Sequence, residues 1–255
     1  PYVFSIIPDL SRAAGIYHTN PKLLYIPKHK ALGIYNDEFG DELYMIEERP
    51  EDIFANNKSS EQPEDIRGSH SVIKKLYEDE RFKVDEQEYI KARLFDMLIG
   101  DWDRHQDQWK WAQFDVGNGE KIFRPIPRDR DQAFSNFDGA LLDIMKFISS
   151  PTKQLQVYDS ELKHIDWMNS AGIKLDRVLI QKTSQDDWLK EAAFLQEHIN
   201  DAIIEEAFSK VPREVQDESL NVIKSNLKGR RSRLLDIATR YYKHLNELVV
   251  LVGTD

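Results

Sequence analysis

The chain has 255 residues, of which 40% are hydrophobic, enough to bury a sizeable core in one or two domains. Its net charge of −10 disfavours binding to nucleic acid or to an anionic membrane surface, because both carry negative charge. Cysteine is absent, which excludes disulfides, thiolate metal sites and a cysteine nucleophile. The sequence holds no apolar run of membrane-spanning length, so we expect no direct membrane insertion.

The N-terminal part of the chain predicts a short helix followed by two strands. "YVFSIIPDLSRAAGIYH" has helical character interrupted at Pro8, and the Asn20-Pro21 step favours extended backbone after it. "KLLYIP" and "ELYMIEERP" have strand character, and "NDEFGD" between them holds the residue types typical of a reversal. We therefore expect a hairpin, or two neighbouring strands of one sheet, in a small unit over residues 1–50.

A polar, proline-containing stretch over residues 51–70 predicts a linker or mobile loop, and residues 71–255 are predicted to be mostly helical. "SVIKKLYEDE" and "VDEQEYIKARLFDMLIG" begin this region as helices. Asp85 and Glu88 have the spacing of a capping box, and Gly100 is expected to end the second helix. The predicted buried face of that helix consists of Tyr89, Leu94, Phe95 and Leu98.

A β-hairpin is predicted where "QWKWAQF" and "KIFRPIP" flank "DVGNGE". The Asn118-Gly119 dipeptide is a strong signal for a tight reversal between two strands. Alternation along the first strand places Trp109 and Trp111 on one face, which favours core packing over a stacking platform for a ligand.

The remainder of the chain predicts helices, so the expected fold class is α+β. Apolar residues recur every seven positions in the final helix, at Leu227, Leu234, Tyr241 and Leu248. The chain begins at Pro1 without Met and ends in the apolar run "VVLVGTD". These features lead us to expect a piece of a longer protein.

Two acidic loops flank the predicted hairpin, "IGDWDRHQDQWKW" before it and "PRDRDQAF" after it. A hairpin returns the chain close to where it left, so Asp103 and Asp129 are predicted to lie on adjacent loops. Two carboxylates there could hold a divalent cation, and oxygen ligands suit magnesium. If one carboxylate faces an acceptor hydroxyl, the pair suits phosphoryl transfer.

"GDWDRHQDQW" together with "PRDRDQAF" resembles the catalytic and metal-binding loops of atypical kinases, namely the HipA-like kinases, the type II phosphatidylinositol kinases and the secreted Golgi kinases. The resemblance implies a kinase-like fold, with a partial small lobe, a hinge and a mostly helical large lobe that binds Mg²⁺ and ATP. It also implies that Asp103 orients or deprotonates the hydroxyl of an unknown acceptor. Beside it, Arg104 would be a structural or phosphate-facing charge.

The same resemblance implies a metal set in which Asp129 binds magnesium together with Gln108 or Asp131. Gln108 stands five residues after Asp103, where these kinases carry Asn, and Asp131 stands where they carry Gly. "YMIEERP" is similar to the hinge that holds the adenine ring. Its cofactor-binding positions would be Ile46, Glu47 and Glu48.

The segment before this hinge lacks a glycine-rich phosphate loop and a clear nucleotide-binding lysine, since Lys22 and Lys28 are poor candidates. Under the resemblance, the first strands of the small lobe would lie upstream of Pro1. We then expect ATP binding only when those strands are present.

A second resemblance, carried by "RLFDMLIGDWDRHQDQWKW", "PIPRDRDQAF" and the terminal "VGTD", is to the middle domain of bacterial envelope proteins. These proteins join a calcineurin-like phosphoesterase to an outer-membrane barrel. The resemblance implies a cell-envelope location and interaction with other domains of the same longer chain. It leads to an alternative function, a catalytically inactive pseudokinase or scaffold, in which Asp101, Arg104, Asp129 and Arg130 form a salt-bridged network that fixes the hairpin.

Other signatures in the sequence are incomplete. "GDWDR" resembles an element of metallophosphoesterases, but "GNGE" at residues 117–120 lacks the histidine of their Gly-Asn-His-Glu motif. An EF-hand would need Gly and Glu where Gln106 and Ala112 stand. His105 is interpreted as a hydrogen-bonded structural residue, and "KGRRSR" at residues 228–233 as a solvated or salt-bridged face.

Overall fold

The computed structural model describes residues 2–48, 62–137 and 153–248. These residues form helices and two small sheets, so the predicted α+β class is confirmed. The terminal apolar run at 249–255, the last two residues of the expected hinge segment at 49–50, and most of the predicted linker, at 51–61, lie outside the described residues.

The described residues contain ten α-helices and six strands. The helices are α1 Ile7–Ala13, α2 Asn36–Phe39, α3 Ser69–Glu78, α4 Glu86–Ile99, α5 Ile165–Met168, α6 Ile173–Leu179, α7 Gln185–His198, α8 Asp201–Ser209, α9 Glu218–Ser232 and α10 Leu234–Asn246. The strands are β1 Lys22–Ile26, β2 Glu42–Ile46, β3 Asp65–Gly68, β4 Phe82–Val84, β5 Trp109–Gly117 and β6 Glu120–Pro127.

The N-terminal region holds the predicted strand pair. Strands β1 and β2 are antiparallel, with Leu24 opposite Tyr44. The connection is longer than a tight turn, since it contains a 3₁₀ turn at Lys30–Tyr35 and then α2. The predicted interruption at Pro8 is wrong: Pro8 lies in the first turn of α1, where a helix tolerates a residue without an amide hydrogen.

The second sheet has the strand order β3-β5-β6-β4. Its centre is the predicted hairpin of β5 and β6, and both turn residues have positive φ, 54° at Asn118 and 77° at Gly119, as a two-residue hairpin turn requires. Strand β3 is antiparallel to β5, and β4 is parallel to β6. Neither edge strand was predicted, and β3 lies within the stretch interpreted as a linker.

Helix α4 is the central element of the core. Asp85 caps it by accepting a hydrogen bond from the backbone N–H of Glu88 at 3.2 Å, and Gly100 ends it in the left-handed conformation, with φ 76°. The predicted buried face is confirmed, yet every residue from Tyr89 to Ile99 is buried. The reason is that β6 contacts one side of α4 while α7, α9 and α10 contact the others.

The predicted final helix is divided into α9 and α10 at Arg233. Leu227, Leu234 and Tyr241 are buried as the seven-residue spacing predicts, whereas Leu248 is exposed. None of the described helices is both long and apolar enough to cross a membrane.

Candidate functional site

The two acidic loops lie side by side at the end of α4, as the hairpin geometry predicts. Gly100 ends the helix and is followed directly by the loop that carries Asp101 and Asp103. Two backbone hydrogen bonds tie the region together, from the N–H of Arg128 to the carbonyl of Gln108 at 2.9 Å and from the N–H of Phe134 to the carbonyl of Ile99 at 2.8 Å.

Four side chains from these loops form what we call the acidic edge: Asp103, Gln108, Asp129 and Asp131. The Gln108 amide donates to Asp129 Oδ2 at 3.1 Å, so two of the predicted metal ligands are in contact. Partial burial and then repulsion by the carboxylates of Asp129 and Asp103 raise the pKa of Asp131. The charges of Asp129 and Asp103 therefore act on Asp131.

Beneath the acidic edge, Arg104 is fully buried and uses its guanidinium to join the two loops. It donates to Asp101 Oδ2 at 3.1 Å, to the carbonyl of Arg128 at 2.7 Å and to the carbonyl of Gln108 at 3.1 Å. The guanidinium also lies 4.6 Å from the ring centroid of Trp109. Of the two roles expected for Arg104, burial favours the structural one over a phosphate-facing charge.

Arg130 enters the same buried layer from the second loop. Its Nε and Nη2 atoms donate to Asp96 Oδ1 at 3.1 and 2.9 Å, and its Nη1 donates to Ser11 of α1 at 3.1 Å. The other oxygen of Asp96 lies 3.2 Å from the Nε of Arg104. Asp96 of α4 therefore contacts both loop arginines, and we call Asp96, Asp101, Arg104 and Arg130 the loop cluster.

Asp101 is fully buried within this loop cluster. Removal from water raises the pKa of its carboxyl group to about 7, although the positive charge of Arg104 opposes the shift. The sequence predicted a network of Asp101, Arg104, Asp129 and Arg130. Three of these residues are in it, Asp96 occupies its centre, and Asp129 lies instead at the acidic edge.

A second buried group extends the charge pairing away from the loops. Asp176 of α6 accepts hydrogen bonds from Arg93 Nε at 3.0 Å, from the hydroxyl of Tyr89 at 2.6 Å and from the hydroxyl of Tyr241. Arg93 also lies 3.4 Å from Asp96. We call Asp176, Arg93, Tyr89 and Tyr241 the helix cluster, because it ties α4 to α6 and α10.

Of the three expected hinge residues, the structure brings Glu47 to the acidic edge. Burial raises the pKa of Glu47, the nearby charge of Asp129 raises it further, and Thr19 donates a hydrogen bond to its carboxylate. Glu47, Met45, Arg128 and Asp129 help to line a cleft of about 30 Å³. Ile46 and Glu48 are not among the described residues that line it.

The acidic edge supplies oxygen donors of the type that magnesium prefers. Among the described residues, no three His, Asp or Glu side chains are arranged to hold a metal ion. Magnesium sites in phosphotransfer proteins commonly use one or two carboxylates and take the other ligands from phosphates and water. A magnesium ion held by Asp129, Asp131 and Gln108 would therefore need further ligands from phosphates and water.

The histidine and tryptophans of the first loop and hairpin, and the basic segment at 228–233, make structural contacts. His105 Nδ1 accepts from the backbone N–H of Asp107 at 3.2 Å, and Trp109 and Trp111 pack together in the core. In "KGRRSR", Lys228 and Arg231 pair with acids of α8 as predicted. The burial of Arg230, which donates to the Met97 and Asp159 carbonyls, was not predicted.

No protein-family model matches the chain, and the search of curated proteins finds no match either. The resemblance to atypical kinases consequently depends on the sequence of the two acidic loops.

Proposed function

We propose that the acidic edge is the reacting end of an Mg-ATP-dependent phosphotransfer site with an unknown acceptor. The observation that carries this proposal is the gathering of Asp103, Gln108, Asp129 and Asp131 on two loops that share one buried anchor. If the two loops served only to fix the hairpin, the buried ion pairs of the loop cluster would be sufficient. The acids above it repel one another, which is an arrangement that a bound cation would stabilise.

Each residue of the edge has a role in this proposal. Asp103 is partly exposed and would orient the acceptor hydroxyl or take its proton. Asp129, with Gln108 or Asp131, would hold magnesium. When bound, the ion would neutralise charge on the transferred phosphoryl group and fix its orientation. Arg104 would hold the loop that carries Asp103 in place.

The nucleotide would lie between the N-terminal hairpin and the acidic edge, next to Glu47. The cleft of about 30 Å³ is much smaller than the roughly 300 Å³ or more of small-molecule pockets. Nucleotide binding therefore requires this cleft to open or further chain to complete it. This fits the expectation that strands upstream of Pro1 belong to the small lobe.

A thermal-shift titration with Mg-ATP tests the proposal, because a ligand that binds the native state raises its melting temperature. We expect a shift in a longer form of the protein that includes the upstream residues, and loss of that shift in Asp129→Asn. Asp107→Asn is the matched control, since it makes the same change at an exposed acid of the neighbouring acidic loop. A folded longer form that shows no shift would contradict phosphotransfer.

The second candidate function is a catalytically inactive scaffold that links other domains of a longer bacterial envelope protein. The observation that favours it is the enclosure of Asp101, Arg104 and Arg130 in buried ion pairs, which fix the hairpin without any ligand. A missing Mg-ATP shift together with an unchanged fold in Asp129→Asn would favour this function.

A further inference from the structure

The two acidic loops share a pattern in which acids of the edge are next in sequence to a buried arginine. Asp103 is followed by Arg104, and Arg130 stands between Asp129 and Asp131. The acids contribute to the edge, whereas both arginines are at most 8% exposed and extend into the core. Each loop is therefore anchored in the core by the arginine that is next in sequence to its acid of the acidic edge.

Both guanidinium groups meet at the same carboxylate. Asp96 Oδ2 lies 3.2 Å from Arg104 Nε, and Asp96 Oδ1 accepts from Arg130 Nη2 at 2.9 Å and Nε at 3.1 Å. Asp96 is itself immobilised, because it lies in the central helix α4 and is 0% exposed. Two hydrogen bonds at Oδ1 from Arg130 and an ion pair at Oδ2 with Arg104 place the carboxylate between both arginines.

We infer that Asp96 is the positioning residue of the site and sets the spacing between the loop of Asp103 and the loop of Asp129 and Asp131. The inference rests on the proposed function for its chemical meaning. The geometric part, that one carboxylate holds two loops, is independent of it. Outer residues that orient metal-binding groups commonly change metal affinity about 10- to 100-fold when they are replaced.

Binding of Mn²⁺ in the presence of ATP to a longer form of the protein that includes the upstream residues, followed by electron paramagnetic resonance, tests the chemical part. Asp96→Asn is expected to raise the Mn²⁺ dissociation constant by about 10- to 100-fold, because Arg104 and Arg130 lose their shared anionic partner. Arg130→Lys keeps the charge but loses the forked contact, so it is expected to give a smaller increase. If Asp96→Asn does not fold, Arg130→Lys carries the test.

Asp176→Asn is the matched control, because Asp176 is an equally buried carboxylate whose donors Tyr89, Arg93 and Tyr241 belong to the helix cluster, and Arg93 can keep its own 3.4 Å contact with Asp96 in this variant. It is expected to lower the melting temperature while leaving Mn²⁺ affinity unchanged. A conserved affinity in folded Asp96→Asn, or an equal loss in Asp176→Asn, would overturn the positioning role.

Hydrogen exchange tests the geometric part without any ligand. The amides of Arg128 and Phe134 bridge the region, and they are expected to exchange faster in Asp96→Asn by a larger factor than amides of α7. In Asp176→Asn, the amides of Arg128 and Phe134 should not exchange faster by a larger factor than the amides of α7. Unchanged exchange at both amides would overturn the inference, whereas wild-type protein without Mn²⁺ binding but with the expected exchange pattern would overturn only the proposed function.

Discussion

The loop cluster and the acidic edge come from the same two short loops, yet their charges have opposite consequences. In the loop cluster, each guanidinium meets a carboxylate within 3.2 Å and both are removed from water. At the acidic edge, partial burial and then the negative charges of Asp129 and Asp103 raise the pKa of Asp131. Adjacent residues of one loop are thus either paired and buried, or left in mutual repulsion at the surface.

Residue type alone does not assign a role to an acid. Asp101 and Asp103 are two positions apart, and one is buried beside Arg104 while the other is partly exposed. Buried acids that are paired stabilise or specify the fold, and surface acids that repel one another cost stability in return for a capacity to bind cations. The following substitutions separate the two layers by their effects on unfolding.

Arg104→Ala is expected to have the largest effect. It leaves Asp96 and Asp101 as buried carboxylates without their shared partner, and breaking a buried pair in this way typically costs about 3–5 kcal/mol. Urea unfolding followed by tryptophan fluorescence measures the loss. Arg81→Ala is the control, because Arg81 pairs with Asp79 at the surface, and no measurable change is expected there.

The pH dependence of stability isolates Asp101. Its pKa is about 7 in the folded chain and near 3.8 when unfolded, so between these values the folded state binds the proton more tightly. Its contribution to the free energy of unfolding therefore falls as pH rises through this window, by at most about 1.4 kcal/mol per pH unit. Asp101→Asn should remove that slope in urea titrations between pH 4 and 7, and an unchanged slope would contradict the assignment.

Gly100→Ala tests the end of α4, where the helix is followed directly by the first acidic loop. A Cβ atom there would lie 2.6 Å from Cδ2 of Tyr158, in a backbone conformation with φ 76°. The expected cost is about 1–3 kcal/mol, measured as a lower melting temperature by calorimetry. Gly68→Ala is the control, because its Cβ meets nothing within 4 Å and its φ is −81°, so little change is expected.

Asp131→Asn is expected to have the smallest effect and the opposite sign. Removing one of three repelling carboxylates should stabilise the fold slightly, within about 0.5 kcal/mol. The gain should be present at pH 7 and become smaller towards pH 4, because the raised pKa of Asp131 lets its carboxyl group take up a proton at a higher pH than an ordinary aspartate does. Melting temperatures at the two pH values measure it, and destabilisation at pH 7 would mean that Asp131 has an attractive partner.

Local signals in the sequence predicted much of the fold. Asn118-Gly119 and the alternating tryptophans predicted the second hairpin, and Asp85 and Gly100 predicted both ends of α4. The edge strands β3 and β4 were missed because they have four and three residues and pair with partners far along the chain. Such short strands depend on tertiary pairing more than on local pattern.

The sequence predicted the residues of the candidate site, but it did not predict their division into a buried loop cluster and an acidic edge. The sequence indicated that Asp103 and Asp129 lie on adjacent loops, but it did not indicate Asp96 as the shared partner of Arg104 and Arg130. A signal was present in "YIKARLFDMLI", where Lys91, Arg93 and Asp96 stand in a run of mostly apolar residues. Charged residues in such a run need buried partners, although the sequence does not name them.

The strand order β3-β5-β6-β4 also constrains the order of events during synthesis. Strands β3 and β4 are translated first, but each edge strand pairs only with a strand of the later hairpin. Until residue 127 has left the ribosome, Ile66 and Phe82 have no completed sheet to pack in. Among the described strands, β3 therefore has no partner until β5 emerges and β4 has none until β6 emerges, so protection of β3 begins before protection of β4.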